Sequence, residues 1–489
     1  MFGMAGLDFL SRLPSVSAAE TKLESSRVRF DPLVEPLVRF VEDTPRERLL
    51  EEMAFRIKQG LSYREVLGAL FLAGVRNIQP RPVGFKFHAV MVVNSAHLAS
   101  LSSPDSDRWL PIFWALDQFK SSQAADVREG DWNLGPVEES AVPPGHQSRQ
   151  SLIQAMDRWD EAAADAAIVG LVRTAGAHEI FELLARYGVR DFREIGHKEI
   201  YLANSFRALQ VIGWQHAEPV LRSVVYAMLD RDGEKANPSK ADLPADRPFR
   251  RNLELVRRIR GDWLDGKPDP QATTELLRSV REGSARDASD SVVELLNRGV
   301  APQSLFDALF MGAGELLMRA PGILSLHAST FTNAAHYAWR NTRDDETRRL
   351  LLLQNAAFMP LFRGNSKAKQ VFIDQLTPHE PKSGETIAVS EIYEAMREDR
   401  LLAARKVLGY LKANGDPKPL IDLGRRYTFL KGRDSHDYKF TSAVWEDSQQ
   451  LAPAVRDRCL AASVFNLKGA GDSDNELVSR IRSALTVGS

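Results

Sequence analysis

Apolar residues recur along most of the chain with the three- and four-residue spacing of amphipathic helices. In the first such stretch Leu33, Leu37, Val38 and Val41 fall on one face, and Gly60 is placed to end the helix that follows. No stretch of useful length alternates between apolar and polar residues as a half-buried strand does. The pattern therefore predicts an all-α protein.

Proline and glycine positions divide this helical pattern into segments. Pro80 and Pro82 interrupt the chain immediately before an apolar helix that starts near His88. Residues 122–147 are rich in both residue types and predict a long loop, whereas the polar, proline-containing stretch after residue 230 predicts a linker. We therefore expect an N-terminal extension (1–30), a first helical half (31–230), a linker (231–250) and a second helical half (251–489).

The second half repeats features of the first at a constant offset of 239 residues. The segment from Phe87 to Ala99 and the segment from Leu326 to Ala338 both contain His-Ala, an asparagine six residues after the histidine and a second histidine nine residues after it. One register kept over most of each half predicts a tandem duplication, with two pseudo-symmetric halves and a site at their interface. A short-period solenoid is the competing architecture, but no period near about 34 or 40 residues is visible.

Composition narrows the classes of function. The 489 residues carry a formal net charge of −1, so no cationic face for nucleic acid or for a membrane surface is indicated. The single cysteine, Cys459, excludes an intramolecular disulfide and a multi-cysteine metal site. No signal-peptide pattern opens the chain, and no run approaches the roughly 18 apolar residues of a spanning helix. We expect a cytoplasmic protein, for which a homo-oligomer is compatible with the sequence.

Six of the ten histidines form pairs at the same offset, within apolar helical segments. Neutral imidazole is a ligand for iron, zinc, copper or nickel, and burial favours the neutral form. A pseudo-two-fold axis would therefore bring histidines from both halves around one ion. The pairs are His88 with His327, His197 with His436, and His97 with His336.

Helical geometry separates these pairs into inner and outer positions. A spacing of nine residues turns His97 about 180° away from His88, so both cannot face one site. Because His88 and His327 follow the breaks at Pro82 and Pro321, we predict that they are inner. The competing interpretation is that all of these histidines are packed core residues whose ring nitrogens bond to backbone or hydroxyl groups.

Three further positions accompany the histidines. Asn94 and Asn333 are candidate hydrogen-bond partners of the ligands, although helix packing is the favoured role for both. His97 and His336 are candidate alternative ligands. Lys439 replaces Ile200 at the same offset and shares a helix face with His436. A lysine there must be paired, neutralised or chemically modified, or must extend to solvent.

Several of these segments together resemble the questin oxidase-like family. The resemblance rests on Phe87-His88, on its Leu326-His327 counterpart, on the segment Gly196-His197-Lys198-Glu199-Ile200 and on the late His436-x-x-Lys439. It implies a non-haem iron oxygenase acting on aromatic polyketides of the anthraquinone type. It also implies an iron ligand set of four histidines and a carbamylated lysine, matched here by His88, His197, His327, His436 and Lys439. His97 and His336 match nothing in that motif.

The sequence thus yields three hypotheses of function. The first is an iron-dependent oxygenase that uses O2 on an aromatic or quinone-like small molecule. The second is a metal-free helical scaffold or interaction protein, and the third is a zinc-dependent hydrolase on the same histidines. Phosphate-binding loops, His-Glu-x-x-His and the nucleophile motif Gly-x-Ser-x-Gly are absent from the sequence.

Overall fold

The computed structural model describes residues 27–231, 233, 237–364, 369–382 and 385–486. These residues form 22 α-helices, joined by short 3-10 turns, and the β-type pairing among them is one isolated bridge between Lys267 and Val300. The all-α prediction is confirmed. Within the described ranges, no helix combines the length and the apolar character needed to cross a bilayer. Residues 1–26 of the predicted N-terminal extension lie outside the described part.

Within the described residues, ten helices precede the predicted linker. They are α1 (Glu35–Asp43), α2 (Arg46–Lys58), α3 (Tyr63–Asn77), α4 (His88–Leu101), α5 (Leu110–Glu129), α6 (Gly145–Arg158), α7 (Glu161–Val172), α8 (Ala177–Gly188), α9 (His197–Ile212) and α10 (Ala217–Met228). Side-chain caps fix several starts; Ser62 and Glu65 form a reciprocal capping box at α3.

Twelve helices follow. They are α11 (Arg247–Leu255), α12 (Pro270–Glu282), α13 (Ala285–Asn297), α14 (Pro302–Arg319), α15 (Ile323–Asn341), α16 (Asp345–Arg363), α17 (Val389–Ala395), α18 (Arg400–Asn414), α19 (Lys418–Lys431), α20 (Ser435–Ser448), α21 (Pro453–Ser463) and α22 (Leu477–Thr486). A capping box of Asp434 and Asp437 starts α20.

The predicted loop at 122–147 is wrong in extent. Helix α5 continues to Glu129, and α6 already begins at Gly145. Tertiary bonds support the last turns of α5, because the Asp126 carboxylate accepts the backbone N–H groups of Gln79 at 2.9 Å and Trp132 at 2.8 Å. The helix ends at Gly130, whose φ of +139° suits glycine.

The predicted linker is partly helical. Helix α11 starts at Arg247, inside the range 231–250, and one connected apolar core extends from Phe30 to Ala484. The division into two duplicated halves therefore stays a prediction.

Four helices form the centre of the molecule. Helix α4 packs against α9 and α20, and α15 packs against the same two helices, so the four close into a ring. The first residues of all four line one cavity, and later residues of all four line a gap along the axis of the ring. The four helices therefore run in the same direction, away from the cavity. We call them the central bundle.

A buried ion-pair network supports the central bundle from α3, which packs against α4. The Arg76 guanidinium donates to both carboxylate oxygens of Glu42, at 2.8 and 2.7 Å, and also to Glu35. The side chains of Arg76 and Glu42 are only 3% and 5% exposed. Removing one partner would leave the other charge buried without compensation.

We therefore expect Arg76→Met to lower the free energy of unfolding by about 3–5 kcal/mol. The matched control is Arg48→Met, because the Arg48–Glu52 pair on α2 is exposed to solvent. That change should cost no more than about 1 kcal/mol. Chemical denaturation of both variants measures the difference, and equal losses would show that the buried network contributes nothing special.

Candidate metal centre

The four ligand candidates stand at the beginnings of the four central helices. His88 and His197 are the first residues of α4 and α9, His436 is the second residue of α20, and His327 lies in the second turn of α15. Gly196 allows the start of α9 to lie close to the Phe331 ring. Its φ is +84°, and an added Cβ would come within 2.6 Å of that ring.

Three of these imidazoles bring their ligand nitrogens together. The Nε2 atom of His197 lies 3.0 Å from that of His88 and 2.8 Å from that of His327. The three ligand nitrogens lie within 4.8 Å of one another. The ring of His436 packs against this trio, with its centroid 4.3 Å from that of His88 and 5.2 Å from that of His327.

Hydrogen bonds on the opposite side of each ring fix its tautomer. Each Nδ1 atom faces an oxygen that can only accept, so Nδ1 carries a proton, and in a neutral ring Nε2 keeps its lone pair. The acceptors are the Phe85 carbonyl for His88 (2.9 Å), the Glu194 carbonyl for His197 (2.8 Å), the Ile323 carbonyl for His327 (2.7 Å) and the Asp434 carboxylate for His436 (2.6 Å). Metal-bound histidines are oriented by partners of this kind.

The donor set fits a transition metal. Lone pairs of two neutral imidazoles that face each other at 2.8–3.0 Å repel unless a cation lies between them. Burial lowers the pKa of His88, His197 and His327, and the neighbouring Lys439 acts in the same direction. Protons therefore do not serve as that cation at neutral pH. Nε2 of His436 is also buried, with no hydrogen-bond partner among the described residues.

Lys439 lies one turn beyond His436 on α20. It is 3% exposed, and its amine has no hydrogen-bond partner in the described part of the chain. Burial lowers the pKa of this amine to about 7, although the Asp434 carboxylate acts in the opposite direction. Burial therefore favours the uncharged form of the amine, and the side chain does not extend to solvent.

A cavity of about 620 Å³ opens in front of the histidines. Its size is that of a small-molecule site. Apolar side chains of Val83, Phe85, Ile195 and Ile323 line it. Besides the four histidines, its polar lining residues are Gln118, Ser122, Arg193, Glu194, Arg433, Asp434 and Ser435. Phe85 and Ile323 are 79% and 52% exposed, so apolar surface surrounds the entrance. The four helix N-termini add positive potential, which favours an oxygen-bearing or anionic group.

The second histidine pair lies away from this cavity. His97 accepts or donates a hydrogen bond at Nδ1 with the Tyr63 hydroxyl, at 2.9 Å. His336 packs between Phe306 and the Trp339 ring, and burial lowers its pKa to about 4. The structure does not bring His97 and His336 to the trio.

The two asparagines lie deeper in the central bundle. Asn94 donates to Asn204 at 3.4 Å, and Asn333 donates to Glu446 at 3.0 Å and to Asp447 at 2.7 Å. These bonds join helices of the central bundle to one another rather than orienting an imidazole.

The sequence reasoning missed the groups that orient the imidazoles. Three of them are backbone carbonyls, which leave no side-chain signal. Asp434 is the exception: an aspartate two residues before His436 is both the helix cap and the acceptor of the Nδ1 proton, and that spacing was readable. Phe85 and Ile195 both adopt a φ of +43°, a strained conformation that the sequence pattern does not predict.

We expect His197→Ala to weaken metal binding more than about 100-fold, because even the loss of a ligand's hydrogen-bond partner costs about 10–100-fold. His97→Ala is the matched control, since it removes a buried histidine outside the trio. Titration of metal-free protein with Co(II), followed by visible absorption, measures both affinities. If neither the wild type nor the control binds Co(II), the histidines are core residues and the metal-free scaffold gains support.

Comparisons with protein-family models, curated proteins and solved structures yield no match to this chain. The questin oxidase-like resemblance therefore stays a prediction carried by its own residues.

Proposed function

We propose that this protein is a mononuclear non-haem iron oxygenase that uses O2 on an aromatic or quinone-like small molecule. The observation that carries the proposal is the convergence of Nε2 lone pairs from His88, His197 and His327 on one point beside a cavity of about 620 Å³. Imidazole suits iron, and iron bound here supplies the one-electron chemistry that reactions with O2 need.

The chain's own residues have separable roles in this proposal. The carbonyls behind His88, His197 and His327 hold the rings so that Nε2 faces the centre. The apolar walls at Phe85 and Ile323 bind a flat, apolar molecule and exclude water from the space above the histidines.

Lys439 completes the proposed ligand set as a carbamate. Its amine is buried beside the histidines and lacks a hydrogen-bond partner among the described residues, which is costly for an unmodified lysine. Addition of CO2 would turn it into an anionic oxygen ligand, which an all-imidazole site lacks. Nε2 of His436 is buried without a hydrogen-bond partner among the described residues, and the proposal assigns it as the fourth nitrogen ligand.

Metal analysis of protein purified without a histidine tag tests the proposal. We expect about one iron per chain after anaerobic reconstitution with Fe(II), and an absorption change on admission of O2 that metal-free protein does not give. Failure to retain iron in stoichiometric amount under these conditions would overturn the proposal.

A zinc-dependent hydrolase is the second candidate, and one observation favours it. Among the described residues, the group of potential ligand atoms within 4.8 Å of one another consists of three nitrogens, which matches a catalytic zinc with three protein ligands and an open position for water. Retention of zinc in competition with Fe(II), without any response to O2, would favour this candidate over the oxygenase.

Lys439→Ile tests the carbamate, because isoleucine is what the chain carries at Ile200, 239 residues earlier. We expect bicarbonate to strengthen Fe(II) binding by the wild type and to have no effect on the variant. The variant should bind Fe(II) roughly 10- to 100-fold more weakly than the wild type does with bicarbonate. A ¹³C carbamate signal in protein equilibrated with labelled bicarbonate gives an independent readout. A variant that keeps wild-type affinity and bicarbonate response would remove Lys439 from the ligand set.

A further inference from the structure

The central bundle has a polar interior behind the histidines. A small space of about 20 Å³ lies between its four helices, and we call it the axial gap. A space of about 10–15 Å³ is sufficient for one water molecule. The polar side chains that line it are Asn94, Asn204, Thr330, Asn333, Lys439 and Ser442. An apolar interior would be more stable, so this polar lining calls for a function.

A larger pocket adjoins the axial gap at its far end. It measures about 270 Å³, and we call it the rear pocket. Its lining includes His336 and Arg340, and Arg340 is exposed, so the pocket reaches the protein surface. The rear pocket and the axial gap share the side chains of Arg207, Asn333 and Glu446. These three residues therefore lie at the boundary between the two spaces.

One ion pair stands at that junction. The Arg207 guanidinium donates to Glu446 at 2.7 Å and lies over the Tyr337 ring, 3.9 Å from its centroid. Asn333 donates to the same Glu446 oxygen at 3.0 Å. Glu446 is 34% exposed, whereas the Arg207 side chain is only 9% exposed, so the carboxylate side of the pair is solvated and the guanidinium is buried.

Lys439 occupies the inner end of the axial gap. Its side chain lines this gap, whereas the described residues that line the histidine cavity do not include it. The residue therefore borders the axial gap and not the histidine cavity, although it acts on the histidines electrostatically. Molecules that reach the amine would do so from the rear.

We propose that the rear pocket and the axial gap form a second entrance, which admits molecules the size of water or carbon dioxide to the Lys439 amine and which the Arg207–Glu446 pair gates. The large histidine cavity then receives the organic substrate, and the narrow passage serves only small molecules. A substrate seated on the histidines would leave this passage open.

The use of the passage rests on the proposed function. In carbamate formation the lone pair of the Lys439 amine attacks the carbon of CO2, and one C=O electron pair moves to oxygen. The nitrogen then loses a proton to water in the axial gap, which gives R–NH–COO⁻ and H⁺ from R–NH₂ and CO2. The passage supplies the CO2 and removes the proton. The existence of the passage does not depend on iron.

Labelling of Lys439 by isocyanic acid tests the passage in metal-free, full-length protein. Isocyanic acid has the size and linear shape of CO2 and adds to an amine to give a stable carbamoyl group, which peptide mass spectrometry locates. Phenyl isocyanate carries out the same addition, but its ring fits the histidine cavity and not a gap of about 20 Å³. We expect the small reagent to label Lys439 and the aromatic reagent to leave it unlabelled.

Variants of the gap wall identify the route. Ala443→Leu and Ala334→Leu each place a larger side chain in the axial gap, and we expect each to slow labelling by isocyanic acid about tenfold. Ala335→Leu is the matched control, because Ala335 is equally buried but does not line the gap. It should label at the wild-type rate. Glu446→Gln weakens the gate and should speed labelling roughly two- to fivefold.

Three outcomes would overturn the passage. They are labelling of Lys439 by phenyl isocyanate, a wild-type labelling rate in both gap-wall variants, and absence of labelling in the wild type. Thermal melts of the variants separate a closed gap from a misfolded chain, since the control carries the same added volume. These results stand whether or not the protein retains iron, so failure of the passage and failure of the proposed function remain distinguishable.

Discussion

The geometry of the centre depends on hydrogen bonds that point away from it. In His88, His197 and His327, Nδ1–H donates a hydrogen bond to a backbone oxygen at or just before the start of the same helix. The lone pair of Nε2 is then directed toward the centre. A ring rotated by 180° would lose that bond and would turn a proton toward its neighbours. The helix starts therefore act as rigid mounts for the rings. Because His88 and His197 are themselves the first residues of α4 and α9, the helix boundary and the ligand position are set by the same few residues.

The central bundle combines features that are unfavourable for stability alone. Four helices start at one cavity, so the positive ends of their dipoles face one another across it. The axis behind them holds Lys439 and the Arg207–Glu446 pair in place of aliphatic side chains. The surrounding helices offset this cost with a continuous apolar core. Local departures from good packing concentrated at one place are typical of functional sites.

Much of the centre was predictable because it uses side chains that recur in the sequence. The helical spacing of apolar residues and the proline and glycine breaks predicted an all-α chain. The nine-residue spacing of His88 and His97 predicted that these two histidines face opposite sides of their helix. The sequence pattern did not give the distances between the histidine side chains. Nothing in it showed that Nε2 atoms of three histidines gather while the fourth ring is held by Asp434, or that a cavity of about 620 Å³ lies in front. The end of α5 was misplaced because the Asp126 carboxylate accepts the backbone N–H of the distant Gln79 as well as that of nearby Trp132, and these bonds outweigh local composition.

The Arg207–Glu446 pair at the rear of the central bundle offers a reason why the two predicted halves would belong to one polypeptide. Arg207 and Glu446 are 239 residues apart, so on the predicted duplication they are the same position of two repeats facing each other. An identical pair of subunits would have to set arginine against arginine there, or glutamate against glutamate, and like charges repel. On that prediction, fusion of the copies would let them diverge into complementary partners. It would likewise place an amine at Lys439 in one copy and a hydrocarbon at Ile200 in the other, an asymmetry that a homodimer cannot have.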